Sequence, residues 1–219
     1  MHRQPWLTRR VRPSFTRFFP LQGIALKRTI GYSGSMNTLP ELLTPGRLWV
    51  VSTPRSAMRL LLGLAAHLAL ESDVRVLDCG NCFNVYTVTQ ELHQHTLHTT
   101  AALKRISVAR AFTCYQVTTL LESTPQDATP TLALDLLATF HDESVALGER
   151  RRLLDKNVAA LRRLSRQGSV MVSVHPRGSQ PPDAAQELAA GGLYEVLEEA
   201  ADQVWRFEAQ APAPVLRLF

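Results

Sequence analysis

The chain has 219 residues, 45% of them hydrophobic and 20% charged, as in an ordinary globular protein with one substantial core. Its net charge of +5 suggests a nucleic-acid binder, but residues 1–35 contain seven arginines and lysines and no acidic residue. From Met36 onward there are 17 basic and 19 acidic residues, which excludes a strongly basic folded domain. The longest apolar run, residues 60–70, contains His67 and is too short to cross a bilayer.

Residues 1–35 form a segment of their own. They contain three prolines, and no helical or strand period extends over more than a few positions. This composition is typical of an organelle transit peptide or of a flexible nucleic-acid-binding arm, and a third alternative is that translation begins at Met36. We predict a disordered or mis-assigned extension over residues 1–35 and one α/β domain over residues 36–219.

Apolar strands alternate with amphipathic helices from Leu48 onward, which predicts a mostly parallel sheet with helices on both faces. The tail 203–218 alternates around two prolines and predicts two short antiparallel edge strands. Gly168 is expected to close the long helix before it. The arginines of that helix are expected to form a solvated face, and the alternative is a patch for phosphates or for the acidic face of a partner. The predicted strands are 48–51, 74–78, 105–108, 131–137 and 169–174, and the predicted helices are 56–70, 84–98, 113–122, 145–167 and 184–200.

The cysteines and histidines do not predict a metal or redox site. Three cysteines are too few for a disulfide framework and favour a reducing compartment. Cys79 and Cys82 precede three histidines, but His95 and His98 share one helical face while His93 points elsewhere. A thioredoxin-like motif would open a helix in a different sequence context. We therefore predict neither bound metal nor dithiol chemistry.

The stretch 47–70 has the layout of a phosphate-binding element: a buried strand, a turn of small residues and a helix. The phosphate-loop pattern Gly-x-x-x-x-Gly-Lys-Ser/Thr, laid over residues 52–59, places Met58 at the lysine and Arg59 at the hydroxyl residue. The favoured alternative is a turn that only connects strand and helix, with a side chain capping the helix. The cap candidates are Ser52, Thr53 and Ser56.

Four later strand ends carry further motifs. They are Asp78-Cys-Gly-Asn-Cys-Phe83, Ala109-Arg-Ala-Phe-Thr-Cys-Tyr-Gln116, the strand 131–137 with Asp135, and His175-Pro-Arg-Gly178. In this order, over about residues 45–210, the chain resembles the RecA-like recombinase ATPases, especially the archaeal and eukaryotic recombinases and their paralogues. The resemblance implies a P-loop NTPase-type three-layer fold with a mostly parallel central sheet and C-terminal antiparallel edge strands.

The resemblance also implies that catalysis is lost. The family's phosphate-binding lysine corresponds to Met58, and the glutamate that orients the attacking water corresponds to Gly80; the magnesium-linked aspartate is kept as Asp135. Because an arginine fork also suits phosphate, Arg55 or Arg59 is an alternative cation. We predict no catalytic residue and a degenerate nucleotide site formed by Ser52, Thr53, Arg55, Ser56, Ala57, Met58, Arg59 and Asp135.

Two aspartates have a structural alternative. Asp135 and Asp78 end buried parallel strands, where a carboxylate often only hydrogen-bonds the neighbouring turn. Without a lysine and a hydroxyl partner for magnesium, the structural role is favoured for both.

The resemblance places a DNA-contacting loop at His175 and Arg177. This loop has one strong cation and no aromatic residue, whereas single-strand binding needs a basic groove with stacking platforms. We therefore expect weak DNA contact at most.

The sequence leads to one main hypothesis and two alternatives. The main one is a non-catalytic accessory protein of DNA recombination, repair or a related DNA transaction, acting as an assembly or regulatory subunit in the bacterial cytosol or with the nucleoid. Its partners would be proteins of a recombination, repair or polymerase system, with homo- or hetero-oligomers formed through the RecA-like interface. No cofactor is expected. The alternatives are an ATP/ADP-binding switch or weak DNA-dependent ATPase that uses Arg55 or Arg59 with Asp135 and magnesium, and a protein-interaction module without a DNA role.

Overall fold

The computed structural model describes residues 24–28, 45–54, 58–175 and 192–209, with backbone only for 24–28, 208 and 209. Its helices are α1 (Met58–Glu71), α2 (Val85–His95), α3 (Thr99–Leu103), α4 (Cys114–Ser123), α5 (Leu147–Ser165) and α6 (Leu193–Ala200), with a 3₁₀ turn at Ala138–His141. Its strands are β1 (Ile24–Arg28), β2 (Leu48–Ser52), β3 (Val74–Asp78), β4 (Ile106–Arg110), β5 (Thr131–Leu134), β6 (Val170–Val174) and β7 (Gln203–Ala209).

The strands form one sheet in the order β1-β7-β2-β6-β5-β3-β4. The six strands from β7 to β4 are all parallel, and β1 pairs antiparallel with β7 at one end. The predicted α/β class with a parallel sheet flanked by helices is therefore confirmed.

Two apolar clusters lie on opposite faces of the sheet and make three layers. Alternation along β2 divides its side chains, since Leu48 and Val50 face one cluster while Trp49 and Val51 face the other. Helices α4, α5 and α6 cover the first face, and α1, α2 and α3 cover the second. Among the described helices, α1 after β2 and α6 after β6 thus lie on opposite faces, the arrangement in which α/β sheets bind ligands at the carboxyl ends of their strands. No helix among the described residues is long and apolar enough to cross a membrane.

The helix predicted at 84–98 is interrupted. Asn84 caps α2 by accepting hydrogen bonds from the N–H groups of Tyr86 and Thr87, and Thr96 turns the backbone to an extended conformation at φ −149°. A separate helix, α3, follows. Of the helix predicted at 184–200, residues 193–200 are helical, and 184–191 lie outside the described residues.

The chain termini differ from the sequence-based expectation. Strand β7 runs parallel to β2, not antiparallel at an edge, because helix α6 carries the chain back before β7 begins. The antiparallel partner of β7 is β1, which lies in the segment without a sustained sequence period. The second predicted tail strand, beyond residue 209, lies outside the described residues.

The arginines of α5 do more than form a solvated face. Arg150 is buried and donates to the Phe140 carbonyl over 3.0 Å. Arg163 donates to three carbonyls at the end of α4, those of Leu121, Glu122 and Thr124, where a cation also favours the helix dipole. These contacts fix α5 against α4 and the turn before α5.

Gly168 closes the last turn of α5, since its N–H donates to the Leu164 carbonyl over 3.2 Å, and it also has a second role. Helix α5 ends at Ser165, and a Cβ on Gly168 would lie 2.9 Å from the carbonyl oxygens of both Asp127 and Thr129. Glycine is therefore required because two backbones pass close to each other before β6.

Asp202 joins the start of β2 to α5. Its carboxylate accepts hydrogen bonds of 2.6 Å from both Leu48 N–H and Arg162. Partial burial works against the charged form, but these two donors outweigh it and hold the pKa of Asp202 below its ordinary value.

We expect Asp202→Asn to lower the free energy of unfolding by about 1–2 kcal/mol near neutral pH. Because the folded-state pKa is depressed, the stabilisation is complete above the unfolded pKa of about 3.9 and is lost as pH falls through the folded pKa. Urea unfolding of both proteins between neutral and acidic pH measures the difference. A gap that stays constant down to the most acidic pH would contradict this assignment.

Candidate functional site

Polar side chains collect at the carboxyl edge of the sheet, where parallel α/β proteins bind their ligands. Thr53 follows β2, Asp78 and Arg110 end β3 and β4, Asp135 follows β5, and His175 follows β6. The adjacent ends of β2, β6 and β5 bring Thr53, His175 and Asp135 together.

His175 connects the segments that follow β2, β5 and β6. Its Nδ1 lies 2.6 Å from the Thr53 carbonyl oxygen, so Nδ1 is assigned as the protonated, donating nitrogen. Its backbone N–H donates to Asp135 Oδ1 over 3.2 Å, and Nε2 lies 3.9 Å from Asp135 Oδ2. Thr53 Oγ1 is 3.4 Å from Nδ1, but Thr53 is fully buried. Thr53, His175 and Asp135 therefore have the composition of a catalytic triad. A protonated Nδ1 cannot accept a proton from the Thr53 hydroxyl, and the buried hydroxyl is not accessible to a substrate, so Thr53 does not suit the role of nucleophile.

Asp135 ends β5 abruptly. The predicted strand 131–137 stops at Leu134, because Asp135 has φ +48° and enters the left-handed region, which aspartate tolerates better than most residues. Its N–H donates to Ser173 Oγ over 2.9 Å, and its carbonyl accepts from Ala138 N–H. Asp135 is thus held by its backbone as well as by its carboxylate.

Gly80 lies directly against Asp135. A Cβ on Gly80 would be 2.5 Å from Asp135 Cβ and 2.8 Å from Oδ2, closer than real Cβ contacts occur. The position that the family resemblance assigns to the water-orienting glutamate therefore has no room for any side chain on this backbone.

Asp78 is fully buried and holds the turn after β3. It accepts hydrogen bonds from the N–H groups of Cys82 and Phe83 at 2.9 and 3.2 Å and from Arg110 Nε at 3.0 Å. Arg110 also donates to the Phe83 carbonyl over 3.1 Å. Every one of these contacts is internal, which is the structural role that was favoured for Asp78.

The phosphate-loop positions are only partly described. Ser52 and Thr53 are buried at the end of β2, and Arg55, Ser56 and Ala57 lie outside the described residues, as does Arg177. Met58, at the lysine position, is 7% exposed and packs in the apolar cluster between the sheet and α1. Arg59 is exposed in the first turn of that helix. The nucleotide site as a whole stays a prediction.

Two of the three histidines of the zinc hypothesis, His93 and His95, have protein partners. His93 Nδ1 lies 3.1 Å from Thr99 Oγ1, and His95 Nε2 lies 3.6 Å from Glu91 Oε1. Within the described part of the chain, no group of three or more potential metal ligands converges.

The cysteines at the site are not activated. Burial, followed by the negative charges of Asp78 and Asp135, raises the pKa of Cys82 to about 12, and burial likewise raises the pKa of Cys79. The Cys82 thiol donates to Asp78 Oδ1 over 3.6 Å. Since the thiolate is the reactive form, both thiols are poor nucleophiles.

We expect iodoacetamide to modify Cys82 at pH 8 at least about a hundredfold more slowly than a free cysteine peptide. The rate should rise steadily with pH, because the thiol is far from its pKa. Peptide mass spectrometry resolves Cys82 from Cys79 and Cys114. Fast labelling of Cys82 in the folded protein would indicate an activated thiol.

Some residues of this edge were not singled out by the sequence. The contact of Arg110 with Asp78 and the role of Ser173 depend on strand neighbours, which a single sequence does not reveal. Exposed Tyr86 was also missed, whereas exposed Phe112 and Tyr115 lie in the motif 109–116 but were given no role of their own.

No family model matches the chain, and no curated protein matches it.

Proposed function

We propose that the chain is a RecA-like accessory protein of DNA recombination, repair or a related DNA transaction, and that it acts as an assembly or regulatory subunit without ATP hydrolysis. As part of this proposal, the chain belongs to the RecA-like family and has a P-loop NTPase-type core. The observation that carries the loss of catalysis is the contact between Gly80 and Asp135. The DNA context rests on the motif resemblance.

The strand order supports this family over a dinucleotide-binding fold. In the Rossmann order the first two parallel strands are neighbours. Here β2 and β3 are separated by β6 and β5, and the motif-bearing ends still meet at one edge. The proposal also keeps the second antiparallel edge strand that the sequence predicts in the tail after residue 209.

Two separate parts of an ATPase are missing at this edge. Transfer of a phosphoryl group needs a cation on the β- and γ-phosphates and a group that orients the attacking water. Met58 lies among apolar side chains and supplies no charge. The space next to Gly80 is filled by Asp135, so no carboxylate can be placed there. Asp135 and His175 instead hold together the segments after β2, β5 and β6 by hydrogen bonds, as expected of a rigid scaffold.

One observation favours the nucleotide-switch alternative. Arg59 is exposed in the first turn of α1, next to the predicted loop, where an arginine could bind a phosphate. Such a switch would use Arg59 or Arg55 with Asp135 and magnesium-bound ATP or ADP.

The accessory role is tested by strand exchange with the recombinase of the same organism. We expect the full chain to change the rate of strand exchange and to hydrolyse no ATP with single-stranded DNA and magnesium. Binding to a labelled oligonucleotide should be weak and salt-dependent. It should be seen with the full chain and not with a chain that begins at Met36. Absence of any effect on strand exchange would contradict the DNA role and favour an interaction module elsewhere. Hydrolysis that Asp135→Asn abolishes would contradict the loss of catalysis.

A further inference from the structure

Two histidines meet where helix α2 packs on helix α1. His67 lies one turn before the end of α1, and His95 is the last residue of α2. Their ring centroids are 6.4 Å apart and their ring planes are perpendicular. The side chain of His95 is partly exposed, whereas both ring nitrogens of His67 are shielded from water. A proton added to His67 would therefore place a charge inside the contact between the two helices.

Two carboxylates accompany the histidine pair. Glu91 precedes His95 by one turn of α2, and its Oε1 lies 3.6 Å from His95 Nε2. Glu71 follows His67 by one turn of α1 and is exposed. Because water reaches Glu71, its attraction for a charge on His67 is screened.

The other side of His67 lines a cavity of about 410 Å³, to which Glu71 and exposed Asp73 also belong. The opposite wall, residues 128–130, has no charged side chain. The cation beside this end of α1, Arg105, donates to the carbonyls of residues 69 and 70. The groups that face His67 from the elements around it are thus carboxylates, one arginine and a second imidazole.

Burial decides how His67 responds to pH. It lowers the pKa of His67, Glu71 and Glu91 raise that pKa, His95 lowers it, and burial outweighs the carboxylates. When α2 separates from α1, His67 returns to an ordinary histidine pKa of about 6.5 and takes up a proton more readily. The packed state is therefore fully favoured above pH of about 6.5 and loses stability as the pH falls from there through the folded-state pKa.

We propose that the contact of His67 with His95 is a proton-sensitive latch, which holds the end of α2 on α1 at neutral pH and releases it on mild acidification. The released segment is the last turn of α2 with the link to α3. Histidine suits this role because its charge changes between pH 5 and 8. The latch lies beside the turn before β5, at the amino edge of the sheet, so the inference does not depend on the proposed function.

Hydrogen exchange of the full chain at pH 7.5 and 5.5, followed by mass spectrometry and corrected for the intrinsic effect of pH, tests the latch. We expect peptides from residues 85–98 to lose protection by at least about twofold at pH 5.5, while peptides from α5 keep theirs. The glutamates stay charged at this pH, since their ordinary pKa is about 4.3. His67→Gln cannot be protonated and should remove the pH dependence. His98→Gln is the matched control, because His98 is exposed outside the contact, and should keep it.

Three results would overturn the proposal. They are equal protection of residues 85–98 at both pH values, the same loss of protection in His67→Gln as in the unaltered chain, and an equal loss in α5, which would mean global unfolding. Thermal unfolding at pH 7.5 establishes that each variant is folded. If His67→Gln does not fold, an NMR titration of His67 in the unaltered chain decides: a pKa below about 6.5 supports the latch, and one at or above this value overturns it.

Discussion

Replacing Asp78 with alanine is expected to lower the free energy of unfolding by about 3–5 kcal/mol, since it breaks a buried ion pair and leaves its donors without a partner. Asp78 is fully buried, and the N–H groups of Cys82 and Phe83 and the side chain of Arg110 all donate to it. Urea unfolding at neutral pH measures the effect.

Asp73→Ala is the matched control for Asp78→Ala. Asp73 precedes the same strand at its opposite end and is exposed, so its replacement should change stability by no more than about 0.5 kcal/mol. If Asp78→Ala were as mild as the control, the turn after β3 would not depend on this carboxylate. A functional role for Asp78 would then have to be reconsidered.

Gly80→Ala is expected to destabilise the protein by about 1–3 kcal/mol through overpacking against Asp135. The new Cβ would lie 2.5 Å from Asp135 Cβ. In an Asp135→Gly background the cost should largely disappear, because the contact is removed and glycine also suits φ +48°. A double-mutant cycle measured by urea unfolding gives this coupling.

Gly148→Ala is the control for Gly80→Ala. Gly148 lies in α5, and a Cβ there meets nothing within 4 Å, so alanine should stabilise the helix by about 0.5–1 kcal/mol. A Gly80→Ala cost that is the same with and without Asp135 would mean that the two residues do not share this space. The argument against a glutamate at residue 80 would then fail.

The secondary structure of the core could be predicted because its patterns are local. Strand β3 was predicted at its observed bounds, and α5 differs from its predicted range by two residues at each end. The interruption after α2 was missed, since Thr96 continues a polar helical surface and only its extended backbone ends the helix. The direction of β7 depends on the path of the chain through α6, and no local pattern encodes that path.

The site could be predicted in part. The carboxyl ends of β3 and β6 were predicted at their observed residues, whereas β5 was predicted three residues too long and β4 two residues too short. The tight contact of Gly80 with Asp135 could not be predicted, since it depends on the left-handed backbone of Asp135 and on β3 and β5 being neighbours. Met58 is buried because α1 is oriented about its axis so that this residue faces the sheet, and the sequence pattern does not specify that orientation. The exposed edge of β4 depends on strand order in the same way.

The most direct test of the account is thermal unfolding of the full chain with millimolar Mg-ATP or Mg-ADP, compared with no ligand. The account predicts no change in Tm, because Met58 stands where the phosphate-binding lysine would be and packs among apolar side chains. Binding at a ligand concentration of 100 times Kd would add about 2.7 kcal/mol of stability. A rise in Tm that Arg59→Ala or Asp135→Asn abolishes would contradict the account and establish a nucleotide switch at this edge.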